Sequence, residues 1–227
     1  MRSKPLSEVA ADFDAIAAAL ARGAAGEALT PAERWLVARV PGNARSAIDV
    51  GCGDGVISRA LARRGLTVVA VDISRGMIDL ARAKSDAALP IEYRQADVMR
   101  DELPGGAFDV VLSVAMAHHV SLDVLVPRLV RLVAPGGVLL LQDVMNRRGI
   151  AQIPVNLAAM VTRHARQLVV PSRVTGRVAR AYDAHGANEE YLDASMVAQT
   201  YRSLMPDARV TLHLEWRYSV VWRAARF

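Results

Sequence analysis

Short apolar runs alternate with segments of helical periodicity between residues 46 and 144, and this alternation restricts the fold more than any other feature of the chain. Apolar strands separated by helices are typical of a parallel sheet that is covered on both faces. We therefore predict an α/β fold with a mostly parallel sheet. The predicted strands are Ser46–Val50, Thr67–Val71, Ile91–Gln95, Phe108–Val114 and 138–144, separated by helices over 58–64, 76–84 and 122–133.

The length of the chain, 227 residues, suits one domain with a sizeable core. No apolar run reaches the roughly 18 residues of a membrane span. A single cysteine excludes an internal disulfide, and we predict a cytoplasmic protein. We divide the domain into N-terminal helices (1–43), a cofactor-binding core (44–145), a cap or insertion followed by a helix (146–205) and a C-terminal antiparallel β-hairpin (206–227).

A glycine-rich turn, Gly51-Cys52-Gly53-Asp54-Gly55, follows the first predicted strand and opens a helix. Glycines at such a turn allow a ligand to approach the backbone closely. Asp72 and Asp97 follow the next two strands, where carboxylates can accept hydrogen bonds from a ribose and from an adenine amino group. Acidic groups around the turn repel a pyrophosphate and favour a cationic ligand, which argues against NAD.

These segments resemble, in order and spacing, the motifs of class I S-adenosylmethionine-dependent methyltransferases. They are IDVGCGDG, VVAVDIS, QADV, FDVVLSVAMAHHV and LVRLVAPGGVLLLQD, within residues 44–145. The resemblance implies a Rossmann-like seven-stranded sheet whose last strand is antiparallel, and a methyl transfer that leaves S-adenosylhomocysteine (SAH). It also implies a set of cofactor-binding residues: Asp49, Gly51 and Gly53 near the methionine part, Asp72 at the ribose, Asp97 and Val98 at the adenine, Ser113 near the amino acid end, with Cys52 and Ile73 beside them.

The His118-His119 pair after the fourth strand is similar to the small-molecule branch that includes ubiquinone and menaquinone methyltransferases. The adenine-N6 and glutamine branches carry an Asn/Asp-Pro-Pro-aromatic signature at this strand end, which this chain lacks. We therefore expect a small-molecule acceptor, and we leave open whether the methyl goes to O, N, C or S. A proton acceptor is required only for an acceptor hydroxyl of high pKa. The candidates are His118, His119, Asp143 and His185, and we predict no metal site.

Basic residues are concentrated between Asp143 and Asp183, an interval without any acidic residue. A helix beginning near Pro154 carries Ile153, Leu157, Met160, Val161 and Leu168 on one stripe, and a loop with Pro171 and Gly176 and a polar stretch follow. This cap could present its arginines to an anionic or lipophilic acceptor, or lie on an anionic membrane surface. The arginines concerned are Arg147, Arg148, Arg163, Arg166, Arg173, Arg177 and Arg180.

Three other functions compete with this interpretation. An NAD-dependent oxidoreductase could use the same type of sheet, and a non-catalytic cofactor-binding protein could use the same fold. Nucleic-acid methylation is supported only by the net charge of +5, since no RNA-binding module is recognised. We therefore predict no stable nucleic-acid partner, and the sequence leaves open whether the chain is a monomer or a homodimer.

Overall fold

The structure of the protein, a computed structural model, describes residues 4–22, 28–169, 176–186 and 189–226. Seven strands form a single sheet in the order β3-β2-β1-β4-β5-β7-β6. Strands β1 to β5 run parallel, and β7 pairs antiparallel with both β5 and β6. The predicted fold class is therefore confirmed. The strands are β1 Ser46–Val50, β2 Thr67–Asp72, β3 Ile91–Gln95, β4 Phe108–Val114, β5 Val133–Val144, β6 Arg209–His213 and β7 Arg217–Arg223.

Eight α-helices accompany the sheet within the described residues. Alternate residues of β5 enter opposite cores, because successive side chains of a strand point to opposite faces. Leu139 and Leu141 pack with α5 and α8, whereas Val138 and Leu140 pack on the side of α2 and α3. The helices are α1 Leu6–Ala21, α2 Pro31–Val37, α3 Val56–Ala62, α4 Arg75–Lys84, α5 Leu122–Leu132, α6 Ile153–Val169, α7 Gly176–Gly186 and α8 Ala194–Leu204.

The strand order reverses between β1 and β4. The chain proceeds from β1 through β2 to β3 at one edge, and then returns so that β4 lies on the other side of β1. In an open α/β sheet, ligands bind in the crevice outside the carboxyl ends of the strands at this reversal. The fold therefore places the candidate site where β1 and β4 end.

Helix α7 differs from the sequence prediction, which gave a loop and a polar stretch there. The helix is held by packing on α1, where Val178 is buried with Ile16 and Leu20. Val178, Ala181 and Tyr182 recur at the helical spacing of i, i+3 and i+4, a pattern that the sequence prediction overlooked, and their packing partner α1 is distant in sequence. Pro171, part of the same prediction, lies outside the described residues.

Helix α6 forms as predicted but leaves its apolar stripe facing solvent. Ile153, Leu157, Met160 and Val161 are each about three-fifths exposed, whereas Ala159 is fully buried. An apolar stripe of a surface helix ordinarily faces the core. No helix in the described part of the chain is both long and apolar enough to cross a bilayer.

Candidate cofactor and acceptor site

The glycine turn after β1 folds tightly against the end of β2. Gly51, Gly53 and Gly55 have φ angles of 75°, 53° and 78°, the left-handed region that side chains disfavour. The backbone N–H groups of Gly51 and Cys52 both donate to the carbonyl of Val71, at 2.8 and 3.0 Å. The turn therefore has one fixed position relative to the neighbouring strand.

Asp72, the last residue of β2, holds the turn from the side. Its two carboxylate oxygens accept from the backbone N–H groups of Gly53 and Ser74, both at 2.9 Å. Burial raises the pKa of Asp72, and those two hydrogen bonds oppose the rise. Each oxygen retains further acceptor capacity. The side chain is therefore fixed and can accept the two hydroxyls of a ribose.

Asp49 lies beneath the turn on β1 and is almost completely buried. The Ser58 hydroxyl donates to its carboxylate at 2.6 Å. Burial raises the pKa of Asp49 to about 7; the Ser58 hydrogen bond lowers it, and the charge of Asp72 raises it further. Its ionisation at neutral pH is therefore balanced, and a nearby positive charge would favour the carboxylate.

The space around the turn is closed on one side and open on the other. A Cβ atom added at Gly51 would lie 2.9 Å from the Met116 side chain, and one at Gly55 would lie 2.4 Å from the Tyr93 hydroxyl. A Cβ atom at Gly53 would meet nothing within 4 Å. The turn therefore forms a cradle with its free side at Gly53, next to Asp72, and these residues fit an adenosyl cofactor.

Asp54 does not contribute to this cradle as the charge argument supposed. Its carboxylate forms an ion pair with the Lys84 ammonium at 2.9 Å, which offsets its negative charge. Lys84 ends α4, and nothing in the spacing of the motif predicted the contact. The preference for a cationic ligand therefore depends on Asp49 and Asp72.

Two small side chains of the predicted cofactor-binding set, those of Ser113 and Cys52, have structural contacts near the ends of β4 and β1. The Ser113 hydroxyl donates to the Val50 carbonyl at 2.8 Å, which links β4 to β1. The Cys52 thiol is buried, and burial raises its pKa well above the ordinary value. Cys52 therefore packs and does not provide a nucleophile.

Asp97 and its neighbours follow β3, two strands away from the glycine turn. The Asp97 carboxylate accepts from the backbone N–H of Met99 at 2.8 Å and lies 3.6 Å from Arg100. Val98 is half-buried against the core. Ile73 accepts from the Gln95 amide at 3.2 Å through its carbonyl. These residues lie along the same sheet edge as Asp72, on the side away from β4.

The four proton-acceptor candidates come together beside β4 and β5. We call His118, His119 and His185 the histidine cluster. The ring centroids of His118 and His119 are 3.9 Å apart, and those of His119 and His185 are 4.9 Å apart. Met116, two residues before His118, packs under Gly51, so the cluster adjoins the glycine turn. His185 was expected on a loop, but it is a buried residue of α7.

Carboxylates hold two of these rings by their Nδ1 atoms. Asp143 Oδ1 lies 2.7 Å from His118 Nδ1, and its Oδ2 accepts from the His118 backbone N–H at 2.8 Å. Asp12 Oδ2 lies 2.9 Å from His185 Nδ1. Burial lowers the pKa of His119 to about 2, and the neighbouring His118 and His185 lower it further. His119 is therefore a neutral ring.

Sequence reasoning missed four residues of this region. Asp12 and Asp14 lie on α1, and Asp14 accepts from the Ser74 hydroxyl at 2.6 Å and from the Gly76 N–H at 2.8 Å. Glu189 and Tyr191 approach the histidine cluster from the segment after α7. No motif marks any of these residues, because each reaches the site through packing of a distant helix or loop.

Comparison with known families identifies the core of this site. Residues 48–141, which contain the glycine turn, Asp72 and the His118-His119 pair, match the family described as Methyltransferase domain. Residues 48–141 are a methyltransferase domain. The resemblance to S-adenosylmethionine-dependent methyltransferases, inferred from the motifs, is therefore confirmed for this part of the chain.

Curated relatives match about half of this chain. An uncharacterised methyltransferase of Mycobacterium tuberculosis is 43% identical over 105 residues, which is 46% of this chain and 53% of that protein. A ubiquinone biosynthesis O-methyltransferase of Pseudomonas paraeruginosa is 36% identical over 114 residues, 48% of this chain and 49% of that protein. The chain thus spans about half the length of these relatives.

Solved structures share the fold over nearly the whole chain. Magnesium protoporphyrin IX methyltransferase from Synechocystis, solved with bound SAH, has a TM-score of 0.61 at 18% identity and is covered to 99%, against 96% of this chain. A methyltransferase in complex with the Haloferax volcanii Trm112 activator has a TM-score of 0.63 at 16% identity, with 98% and 96% covered. At these identities the similarity concerns the fold.

Proposed function

We propose that the protein transfers a methyl group from S-adenosylmethionine to a small-molecule acceptor. The observation that carries the proposal is the open cradle at Gly53 beside the fixed carboxylate of Asp72, within the methyltransferase domain. SAH is bound in the Synechocystis structure of the same fold. The cofactor supplies an activated methyl on a sulfonium, so the protein has chiefly to bind, orient and exclude water.

The carboxylates of the cradle would hold the cofactor. Asp72 would accept from the ribose hydroxyls, with its geometry already set by Gly53 and Ser74. Asp49 would balance the positive charge of the methionine part, and Asp97 would accept from the adenine amino group at the far end of the sheet edge. A pyrophosphate at the turn would lie near the buried carboxylate of Asp49, which disfavours NAD. Asp72 does not discriminate between the two cofactors, because the ribose of a dinucleotide could also bind it.

The acceptor would lie against the histidine cluster. Met116 connects the glycine turn to the cluster, so a molecule bound there would face the end of the cofactor that carries the methyl group. The four clustered candidates, His118, His119, Asp143 and His185, would position the acceptor. His119 would not receive its proton, because burial lowers the pKa of that ring to about 2, and this role falls to the other three. The Pseudomonas relative is named for ubiquinone biosynthesis, which supports a phenolic or quinone-type acceptor.

Two measurements test the proposal. Calorimetric titration should show binding of SAH, and incubation with S-adenosylmethionine and a panel of phenols, quinone precursors and amines should add the mass of one CH₂ to an acceptor. Binding of SAH without turnover on any acceptor would favour a non-catalytic cofactor-binding protein. Quenching of nicotinamide fluorescence without SAH binding would favour the oxidoreductase.

A second proposal concerns α6, whose solvent-facing apolar stripe we place on an anionic membrane surface. Ile150 precedes the helix and is 86% exposed, and Leu157 is 61% exposed. No acidic residue lies between Asp143 and Asp183, so the charge of this segment matches anionic lipid. Arg148 and Arg163 are exposed, whereas Arg166 is paired with Glu215 at 2.5 Å. Arg173 lies outside the described residues.

Co-sedimentation with vesicles tests the membrane contact. The protein should pellet with phosphatidylglycerol vesicles more than with phosphatidylcholine vesicles, and Leu157→Glu should lose this pelleting because it charges the apolar stripe. Val124→Glu is the matched control, since Val124 is also an exposed apolar residue but lies on α5. Equal pelleting with both lipids, or equal loss in both variants, would contradict the proposal.

A further inference from the structure

The histidine cluster contains buried nitrogen atoms that the protein itself does not satisfy. Within the described residues, neither ring nitrogen of His119 has a hydrogen-bond partner, although its side chain is only 4% exposed. Nε2 of His185 and Oε1 of Glu189 are likewise buried without a hydrogen bond. Buried polar atoms are nearly always paired, so four unpaired atoms in one place require an explanation.

The three rings of the cluster bring ligand-capable atoms close together, and Glu189 lies beside two of them. Ligand-capable atoms of His118, His119 and His185 all lie within 4.8 Å of one another. Oε1 of Glu189 lies 3.4 Å from His119 Nδ1 and 3.9 Å from His185 Nε2. Zinc binds imidazole nitrogen at about 2.0–2.1 Å in tetrahedral sites, so ligand nitrogens lie roughly 3.4 Å apart. Small rotations of the rings would therefore bring the cluster to that spacing.

The outer contacts of the cluster are those that metal-binding histidines use. A ligating histidine usually gives its other ring nitrogen to a carboxylate, which fixes its tautomer and orientation. Asp143 takes Nδ1 of His118 and Asp12 takes Nδ1 of His185, which leaves Nε2 of both rings for a ligand. Three carboxylates are thus in contact with the cluster rings, and one ammonium, that of Lys4, pairs with Asp12.

We propose that the histidine cluster, with Glu189, binds a divalent transition metal, for which Zn²⁺ is the best match among N- and O-ligand sites. His118, His119 and His185 supply nitrogen and Glu189 supplies oxygen. The excess of negative charge around the rings suits a dication. This proposal revises the sequence prediction of no metal site, and nothing in the spacing of the histidines along the chain indicated it.

A metal bound by the cluster would act as a Lewis acid beside the proposed acceptor. This part rests on the proposed methyl transfer. Zinc can expand to a fifth ligand, so an acceptor hydroxyl or phenol that joined the four protein ligands on the metal would lose its proton more readily. The proton would pass to solvent or to one of the carboxylates beside the cluster. Asp143 and Asp12 would act as positioning residues through the rings that they hold.

Metal titration tests the proposal separately from catalysis. Metal-free protein is titrated with Zn²⁺ by calorimetry and with Co²⁺ by visible absorption, in which tetrahedral coordination gives intense bands. One tight equivalent is expected. His119→Phe retains the ring volume but removes a ligand, and it should weaken Zn²⁺ binding by more than about a hundredfold; Asp143→Asn should weaken it by about 10- to 100-fold, because it removes an outer partner.

His164→Ala is the matched control, since His164 is an exposed histidine of α6 outside the cluster, and it should bind Zn²⁺ as the unmodified protein does. If His119→Phe fails to fold, His185→Asn and Asp12→Asn carry the same test. Absence of a tight equivalent, or equal binding by the cluster variants and the unmodified protein, would overturn the metal site. SAH binding without Zn²⁺ binding would reject the metal alone, and Zn²⁺ binding without SAH binding would reject the proposed methyl transfer alone.

Discussion

Replacement of Gly53 by alanine should have two separable effects: a loss of folding free energy from the strained turn, and a loss of affinity for the cofactor. Gly53 has a φ of 53°, and a Cβ atom there meets no protein atom within 4 Å. The left-handed backbone costs a side-chain-bearing residue about 1–2 kcal/mol. At about 2–4 °C per kcal/mol for a chain of this size, the midpoint of thermal unfolding should fall by roughly 2–8 °C. The fold should otherwise remain intact.

The loss of binding free energy for SAH should be separate from the loss of folding free energy. If the cofactor lies in the cradle, the new methyl occupies space that the ligand needs, and crowding of this kind costs about 1–3 kcal/mol. The affinity for SAH should then fall roughly 5- to 150-fold, measured by calorimetric titration. Gly65 is the matched control: it has a φ of 89°, open space around its Cβ position, and a place at the opposite end of the sheet.

Gly65→Ala should lower the unfolding midpoint to a similar degree and leave SAH affinity unchanged. Both midpoints are followed by circular dichroism, so that affinity is compared only between folded proteins. Unchanged SAH affinity in Gly53→Ala would refute the placement of the cofactor. An equal loss of affinity in Gly65→Ala would show that backbone strain, and not contact with the ligand, is responsible.

Three further results are expected. Asp72→Asn should weaken SAH binding by about 10- to 150-fold, since it removes a charged acceptor and turns an amide donor towards the backbone N–H of Gly53 or Ser74. Calorimetric titration that gave nearly the affinity of the unmodified protein would contradict the ribose role. Affinity for S-adenosylmethionine should increase from about pH 6 to about pH 7 and then level off, because binding favours the ionised Asp49, whose pKa lies at about 7; Asp49→Asn should flatten this profile. Gly137→Ala should destabilise the fold by about 1–3 kcal/mol in denaturant titration, since its Cβ would lie 2.9 Å from two backbone carbonyls, whereas Gly42→Ala, with open space, should not.

The sheet and the glycine turn were predictable because their signals are local. Each strand carries its own apolar run, and the turn carries its glycines in sequence, so no knowledge of distant residues is needed. The position of Asp72 at the end of β2 followed from the same pattern. The charge of Asp54 was misjudged because its partner, Lys84, comes from the end of another helix.

The histidine cluster, the proposed acceptor side, was predictable only as a set of residue types. His118 and His119 are adjacent in sequence, but His185 joins them only because α7 packs on α1. Glu189 then follows α7 into the cluster. Contacts of this kind arise from the packing of helices, which local propensity does not encode.

Helix α1 forms a common wall of the cofactor cradle and the histidine cluster. Asp14 binds the start of α4, directly after Asp72, whereas Asp12 binds His185 on α7. Residues two apart on a helix point to nearly opposite sides, so these contacts require α1 to lie between α4 and α7. Phe13, between the two carboxylates, packs on His185 with ring centroids 4.8 Å apart. Because one helix fixes both sides, the proposed cofactor and acceptor positions would depend on the same rigid element, and a shift of α1 would disturb them together.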